Sequence, residues 1–466
     1  MQAAEWRESI RNKKILVLGL AKTGVSVVKH LQALGAIVTV NDFKPLDENK
    51  EAQSLIDENN ARVVAGSHPV SLLDEDFAFM VKNPGIPYTN PMVVRALEIG
   101  LPVYTDVELA DKMTDATIIG ITGSNGKTTT TSLVGEMLSH ASNLEGQSFV
   151  GGNIGIPSLD IASQASEADR LILELSSFQL MGTSKFKPHI AAITNIYGAH
   201  LDYHGSMEEY ISAKWRITAN QTSEDYLILN ADQKSVFGER QTNATIVPFS
   251  STSQQIDGAW YDQATEKFMW HEEVVLDRRD LLLPGNHNVE NMLVTMAVGK
   301  LLGVSNEDIK AGLAQFHGVK HRLQFVAEID GRRFYNDSKA TNNDATITAL
   351  DSFMGPNDRV VWLAGGLDRG NTIDELGAHM DKVHAMVLSG ESAEKFQALG
   401  QAKGITAIAK AEWIEDAVQK ALDLSNEGDI ILLSPASASW DQYPNFENRG
   451  DRYIKAIEAL ANPDSL

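Results

Sequence analysis

The stretch Thr122-Gly123-Ser124-Asn125-Gly126-Lys127-Thr128-Thr129 follows the apolar run Ala116–Ile121 and precedes the helical pattern Ser132–Leu138. Strand, glycine-rich turn and helix in that order form a cradle for a nucleoside triphosphate. Gly123 and Gly126 let backbone N–H groups turn toward phosphate oxygens, and the helix start adds its partial positive charge. Lys127 would neutralise the β- and γ-phosphates, and the Thr128 hydroxyl would ligate Mg²⁺. Ser124, Asn125 and Thr129 complete the expected ATP loop. The strict pattern places a glycine five residues before Gly126, where this chain has Ile121. A tight strand-to-helix turn with an incidental lysine is therefore the plain alternative.

A second strand–turn–helix lies near the start. Lys13–Leu20 is apolar, Ala21-Lys22-Thr23-Gly24 is the turn, Val25–Leu34 has helical periodicity, and Ala36–Val40 is a strand ending in Asn41-Asp42. This is a βαβ unit of the dinucleotide-binding type, with Ala21 where the middle glycine of the fingerprint would stand. Read alone, it holds NAD, another nucleotide diphosphate, or nothing. The middle of the chain alternates apolar runs (Arg170–Leu175, Ile190–Asn195, Tyr226–Asn230) with helical segments, as strands do in a sheet covered on both faces. A more polar stretch from Thr242 to Asp280 predicts an antiparallel appendage. A third series contains Arg333–Asp337, Arg359–Gly366 and Asp429–Ser434.

With 466 residues and about 150 per domain, three α/β domains are expected, at 1–112, 113–318 and 319–466. The first and third would be Rossmann-like, and the central one P-loop-ATPase-like with a mainly parallel sheet. A formal charge of -22 opposes broad binding to nucleic acid or anionic lipid. The absence of cysteine excludes disulfides, thiolate metal sites and cysteine nucleophiles. Met1–Glu8 lacks the apolar core of a secretory signal, and no later run is long and apolar enough to span a bilayer. A soluble cytoplasmic protein without nucleic-acid or membrane partners is expected.

Glu174 ends an apolar strand, where ligands bind in parallel sheets, and so is placed to hold Mg²⁺ opposite Thr128; on spacing alone a surface acid is an equal reading. His200 lies in the loop Ile196–His204 and is a metal ligand, a general base or an ordinary polar residue. Ser206 and Glu209 form a capping box for the helix that carries Lys214, which in isolation reads as a solvated lysine. Asn336–Asn342 packs an acid, a lysine and hydroxyls into one loop. Ser434–Tyr443 likewise follows a strand with several hydroxyls.

Taken together the chain resembles the Mur ligase family over essentially its whole length. The likeness rests on Thr122–Thr128, Gly152-Asn153-Ile154-Gly155, Glu174–Gln179, Pro284–Asn288 with Asn291, His321-Arg322, Asn336–Asn342 and Leu433–Ser439, in that order. This family's phosphate loop reads Thr-Gly-Ser-Asn-Gly-Lys, which accommodates Ile121. Gly365-Gly366-Leu367-Asp368-Arg369-Gly370 and Asp441–Phe446 look like the branch that joins D-glutamate to UDP-N-acetylmuramoyl-L-alanine. A folylpolyglutamate-type ligase would lack the first nucleotide domain, and a diaminopimelate- or lysine-adding ligase would show Asp-Asn-Pro-Arg, which is missing. A nicotinamide-dependent oxidoreductase would leave the Lys127 loop without purpose.

The resemblance implies ATP-driven amide formation through an acyl phosphate, in peptidoglycan precursor synthesis by a monomer. Lys127 and Asn153 would hold ATP phosphates and substrate, Thr128 and Glu174 a first Mg²⁺, and His200 and Lys214 a second. The family's lysine at position 214 is carbamylated, which makes it a carboxylate able to face a cation. Asn288, Asn291, Arg322 and Asp337 would grip the nucleotide. Lys339, Thr341, Arg369, Ser439 and Phe446 would position D-glutamate, with Arg369 standing where some relatives carry lysine. Leu20, Thr23, Gly24, Asp42, Asn83 and Gly85 would receive the UDP moiety.

Overall fold

The computed structural model describes residues 2–59, 61–198 and 201–461. They form two compact units, one of residues 1–278 with 290–313, the other of 279–289 with 314–466.

The first unit holds two sheets. The five-stranded sheet runs in the order Arg62–Ala65, Ile37–Asp42, Lys14–Leu18, Phe79–Lys82, Val103–Tyr104, with every pair parallel. The order reverses between Lys14–Leu18 and Phe79–Lys82, so a crevice opens at their carboxyl ends. The helix of the first βαβ unit begins earlier than the glycine pattern suggests. It spans Lys22–Ala33, so Thr23 and Gly24 lie in its first turn rather than in a loop. Gly24 is dictated by packing, because a Cβ there would lie 2.0 Å from the Gly19 carbonyl oxygen.

The second sheet has nine strands. Thr117–Thr122 sits between Arg170–Glu174 and Ile190–Ile193, both parallel to it. Its inner strands are buried along most of their length: in Arg170–Glu174 every residue after Arg170 is buried, Glu174 included. Within the polar stretch after Thr242, Ala259–Asp262, Lys267–Trp270 and Glu273–Asp277 are antiparallel. Thr245–Ser250 instead extends the parallel array beside Tyr226–Asn230. Its exposed Thr245 and Ile246 give it the irregular look of a loop.

One apolar cluster runs unbroken from Val17 and Val28 of the first sheet region to Leu171 and Ile193 of the second. A polar knot reinforces it: Asp160 Oδ1 accepts from Ser26 Oγ at 2.5 Å and pairs with His30 Nε2 at 2.8 Å.

The second unit has a six-stranded sheet in the order Gln324–Ile329, Arg332–Asn336, Ile430–Leu433, Val360–Gly365, Val383–Ser389, Ala407–Lys410. Only the Gln324–Ile329 pairing is antiparallel. All six residues of Val360–Gly365 are buried, since apolar layers cover both faces, around Trp362 on one and Tyr453 on the other. Among the described residues no helix is long and apolar enough to cross a membrane.

Candidate active site

Thr117–Thr122 ends at the turn, and the helix Lys127–Ser139 starts with Gly126 as N-cap in the left-handed region at φ 79°. Only glycine fits there without strain, and a Cβ would also lie 2.2 Å from Asn291 Oδ1. That oxygen accepts from the Thr130 hydroxyl at 3.1 Å, so the helix carrying Asn291 is seated directly against the loop. The backbone N–H groups of Ser124 and Asn125 do not face an open cradle. They donate to Asn195, to its carbonyl at 2.8 Å and its side-chain oxygen at 2.9 Å. The phosphate-facing donors expected of the turn therefore fall to the helix start at Gly126–Thr129. Lys127 Nζ donates to Ser124 O at 2.8 Å, folded back over the turn.

Glu174 closes the strand beside the loop and is 2% exposed. Each carboxylate oxygen is held: Oε2 accepts from Thr128 Oγ1 at 2.7 Å, and Oε1 from Asn153 Nδ2 at 2.9 Å. The Asn153 backbone N–H also donates to the Glu174 carbonyl at 2.9 Å. Ser176 and Gln179 form a full reciprocal capping box just beyond it, which fixes the chain leaving the acid. Lys214 is equally buried. The helix Met207–Trp215 turns Tyr210, Ile211, Ala213 and Lys214 inward, and at Ser206 the hydroxyl half of the expected box is formed, to the Glu209 N–H. Lys214 Nζ donates to Gly123 O at 2.8 Å and stands 4.7 Å over the Tyr210 ring. Burial, reinforced by Lys127, pushes its amine well below the usual lysine range, while Glu174 pulls the other way. Tyr210 in turn meets Ser124 Oγ at 3.0 Å. Lys127, Thr128, Glu174, Asn153 and Lys214 thus converge; His200 lies outside the described residues.

This constellation suits a small hard cation. Thr128 and Glu174 offer hydroxyl and carboxylate oxygens already within 2.7 Å of one another. No three His, Cys, Asp or Glu side chains cluster among the described residues. Such a sparse protein set fits Mg²⁺, which is held by one or two carboxylates together with substrate phosphates rather than by a protein cage.

In the first sheet region Leu20, Asp42 and Asn83 meet at the strand ends beside the crevice. Asp42 Oδ2 accepts from the Leu20 N–H at 2.7 Å, Asn83 N–H donates to Leu18 O at 2.8 Å, and Asn83 Oδ1 accepts from the Gly85 N–H at 3.1 Å. Beneath that turn the buried Lys82 donates to Ile86 O at 2.9 Å and Pro84 O at 3.2 Å; burial pulls its amine down to about 8.

The helix Asn286–Leu301 presents Asn288 and Asn291 three residues apart, hence on one face. Asn288 Nδ2 donates to Pro284 O at 2.7 Å. In the second unit Arg322 is exposed. The Asp337 carboxyl is buried and turned into the protein, accepting from Ser434 Oγ at 2.8 Å and the Leu323 N–H at 3.1 Å. That burial raises its pKa to about 7.

Lys339 Nζ stands 4.3 Å over the Phe446 ring. Thr341 and Arg369 line a cavity of about 380 Å³. The Ser439 hydroxyl is buried with no protein partner, an orphan of the kind a ligand satisfies. Three contributors escape a motif reading. Asn195 is a strand-end amide whose bonds to the loop span some seventy residues. Tyr210 carried a usable signal, the i−4 spacing from Lys214. Trp440, directly after the Ser439 motif, is 65% exposed and lies under the Arg369 guanidinium.

Residues 13–105, 121–299 and 321–437 match the family descriptions "Mur ligase MurD-like, N-terminal domain", "Mur ligase middle domain" and "Mur ligase, glutamate ligase domain". The chain is 51% identical, over 97% of its own length and 97% of the relative's, to the UDP-N-acetylmuramoylalanine--D-glutamate ligase of Enterococcus hirae. It is 51% identical to the same-named protein of Streptococcus pneumoniae, over 97% and 99% of the two chains. Among solved structures, the UDP-N-acetylmuramate-alanine ligase of Thermotoga maritima superposes with a TM-score of 0.56 at 20% identity, over 96% of this chain and 99% of that one.

Proposed function

The chain belongs to the Mur ligase family, and from that premise we propose that it joins D-glutamate to UDP-N-acetylmuramoyl-L-alanine at the expense of ATP. The observation that carries the reading is the convergence of Lys127, Thr128, Asn153, Glu174 and Lys214 at one strand-end crevice. A carboxylate does not condense with an amine unaided. Transfer of the γ-phosphoryl group to the L-alanyl carboxylate gives an acyl phosphate and ADP. The D-glutamate amine then attacks the carbonyl carbon, expels phosphate and loses a proton to leave the amide.

Lys127, at the helix start after the phosphate loop, is assigned as the cation that meets the transferring group. Thr128 and Glu174 would hold Mg²⁺, which when bound offsets the charge of the phosphates. Lys214 and His200 are assigned to a second ion, with Lys214 as its carbamate. The low proton affinity of its amine favours that modification, because only the neutral amine adds to CO₂. Asn288, Asn291, Arg322 and Asp337 are assigned to the nucleotide. Leu20, Thr23, Gly24, Asp42, Asn83 and Gly85 are assigned to the UDP end. Lys339, Thr341, Arg369, Ser439 and Phe446 are assigned to D-glutamate. The corresponding domains are 1–112, 113–318 and 319–466, working as a monomer in the cytoplasm.

Phosphate release measured with each substrate omitted in turn tests the reading. Release that needs ATP, Mg²⁺, the UDP-linked acceptor and D-glutamate together, with a product heavier by one glutamyl residue, supports it. Hydrolysis indifferent to D-glutamate overturns it.

A further inference from the structure

Arg369 is exposed on the loop after the strand Val360–Gly365, and its guanidinium carbon lies 4.6 Å from the centre of the Trp440 ring. Among the described residues it has no ion-pair or side-chain hydrogen-bond partner. The adjacent acid is already engaged: Asp368 Oδ1 accepts from Lys395 Nζ at 2.7 Å and from the Gly370 N–H at 2.9 Å. Lys395 holds that carboxyl below the usual range. Arg369 is thus a cation that forms no ion pair among the described residues, on the wall of a cavity that Thr341 and Ser437 also line, together with Asp344 and Glu375.

Trp440 is 65% exposed, so core packing does not explain so large an apolar ring at this place. We propose that Trp440 is a positioning residue that sets selectivity for an amino acid with a second carboxylate, by holding the Arg369 guanidinium against its indole face. This rests on the amide-ligase reading above. A guanidinium lying over the ring keeps the N–H donors that point away from the indole open to a carboxylate, which it can meet in the bidentate manner. The contact also restricts a long side chain that would otherwise sample many rotamers before each encounter. The same device recurs with a second ring six residues further along the chain, where Lys339 sits on Phe446 at 4.3 Å.

Steady-state kinetics of wild type, Trp440→Leu and Trp440→Phe test the proposal, with D-glutamate as substrate and D-glutamine as competitive inhibitor. An exposed leucine should leave the fold unchanged. A lost cation–π contact at an exposed site corresponds to about a 2–5-fold rise in the KM for D-glutamate. kcat and the KM for ATP should stay near wild type, and the inhibition constant for D-glutamine should change far less. Trp440→Phe should recover most of the loss. If wild type forms the D-glutamate amide while Trp440→Leu keeps the same KM and the same preference for glutamate over glutamine, the proposal is overturned. If wild type forms no such product, the ligase reading fails instead.

Discussion

Replacing Thr128 by valine keeps the shape of the side chain and removes only the hydroxyl that donates to Glu174 Oε2 at 2.7 Å. Glu174 is 2% exposed, so water cannot take the place of that donor. Its other oxygen stays bound to Asn153 at 2.9 Å, and the loss is therefore one hydrogen bond to a buried carboxylate, about 1.5–3 kcal/mol. For a unit of this size that lowers Tm by roughly 2–5 °C. The same hydroxyl is assigned to Mg²⁺. If it is worth a similar amount to the metal–nucleotide complex, kcat/KM for ATP falls by about 10–150-fold, and more Mg²⁺ is needed for half-maximal rate. Thermal unfolding without ligands and initial rates over a Mg²⁺ series separate the two effects, with Thr128→Ser as the variant that retains the hydroxyl. A valine variant that melts lower yet matches wild type in kcat/KM at every Mg²⁺ concentration would refute the metal assignment. One that melts with wild type would refute the hydrogen-bond geometry itself.

Gly126→Ala puts a Cβ 2.2 Å from Asn291 Oδ1 at a φ of 79°, and is expected to cost about 1–3 kcal/mol and to weaken ATP binding; denaturant midpoints and ATP titration check both. Lys214→Ala should abolish turnover, whereas wild type in CO₂-depleted buffer should slow and recover on adding bicarbonate. Full activity in the alanine variant would remove Lys214 from the site. Asp337 is raised to about 7 in the fold against about 3.9 in the unfolded chain. The folded form thus holds more protons between those values. Its stabilising contribution is complete below about pH 4 and is lost as pH rises through 7, by up to about 4 kcal/mol. Urea midpoints of Asp337→Asn should lack this component of the slope between about pH 4 and 7, and parallel curves for the two proteins would contradict it.

The strands and the phosphate turn were legible because continuous apolar runs and glycine turns carry local signals. Arg170–Glu174 and Tyr226–Asn230 fall where the pattern puts them. The placement of Glu174 at a strand end was legible for the same reason. Its grip by Thr128 and Asn153 was not, since those residues lie 46 and 21 positions away and nothing local joins them. Lys214 is the sharper case. A lysine two turns into a capped helix reads as solvated, and only the packing of Tyr210 and the loop carbonyl of Gly123 makes it a dry amine. The N–H groups of Ser124 and Asn125 illustrate the converse. The motif points them at phosphate, and the fold gives them to Asn195. Thr245–Ser250 was obscured by its exposed Thr245 and Ile246, which break the continuous apolar run that marks the neighbouring strand Tyr226–Asn230.

The grip on Glu174 also bears on how the protein meets metal in the cell. With Glu174 assigned to Mg²⁺ as proposed, a divalent ion arriving alone would have to break two well-formed contacts and shed its own hydration, with only one acid in return. Accompanied by a triphosphate, it brings most of its coordination with it. Occupancy should therefore track nucleotide rather than the free magnesium pool, so that a resting molecule stays metal-poor and resists capture by the wrong cation.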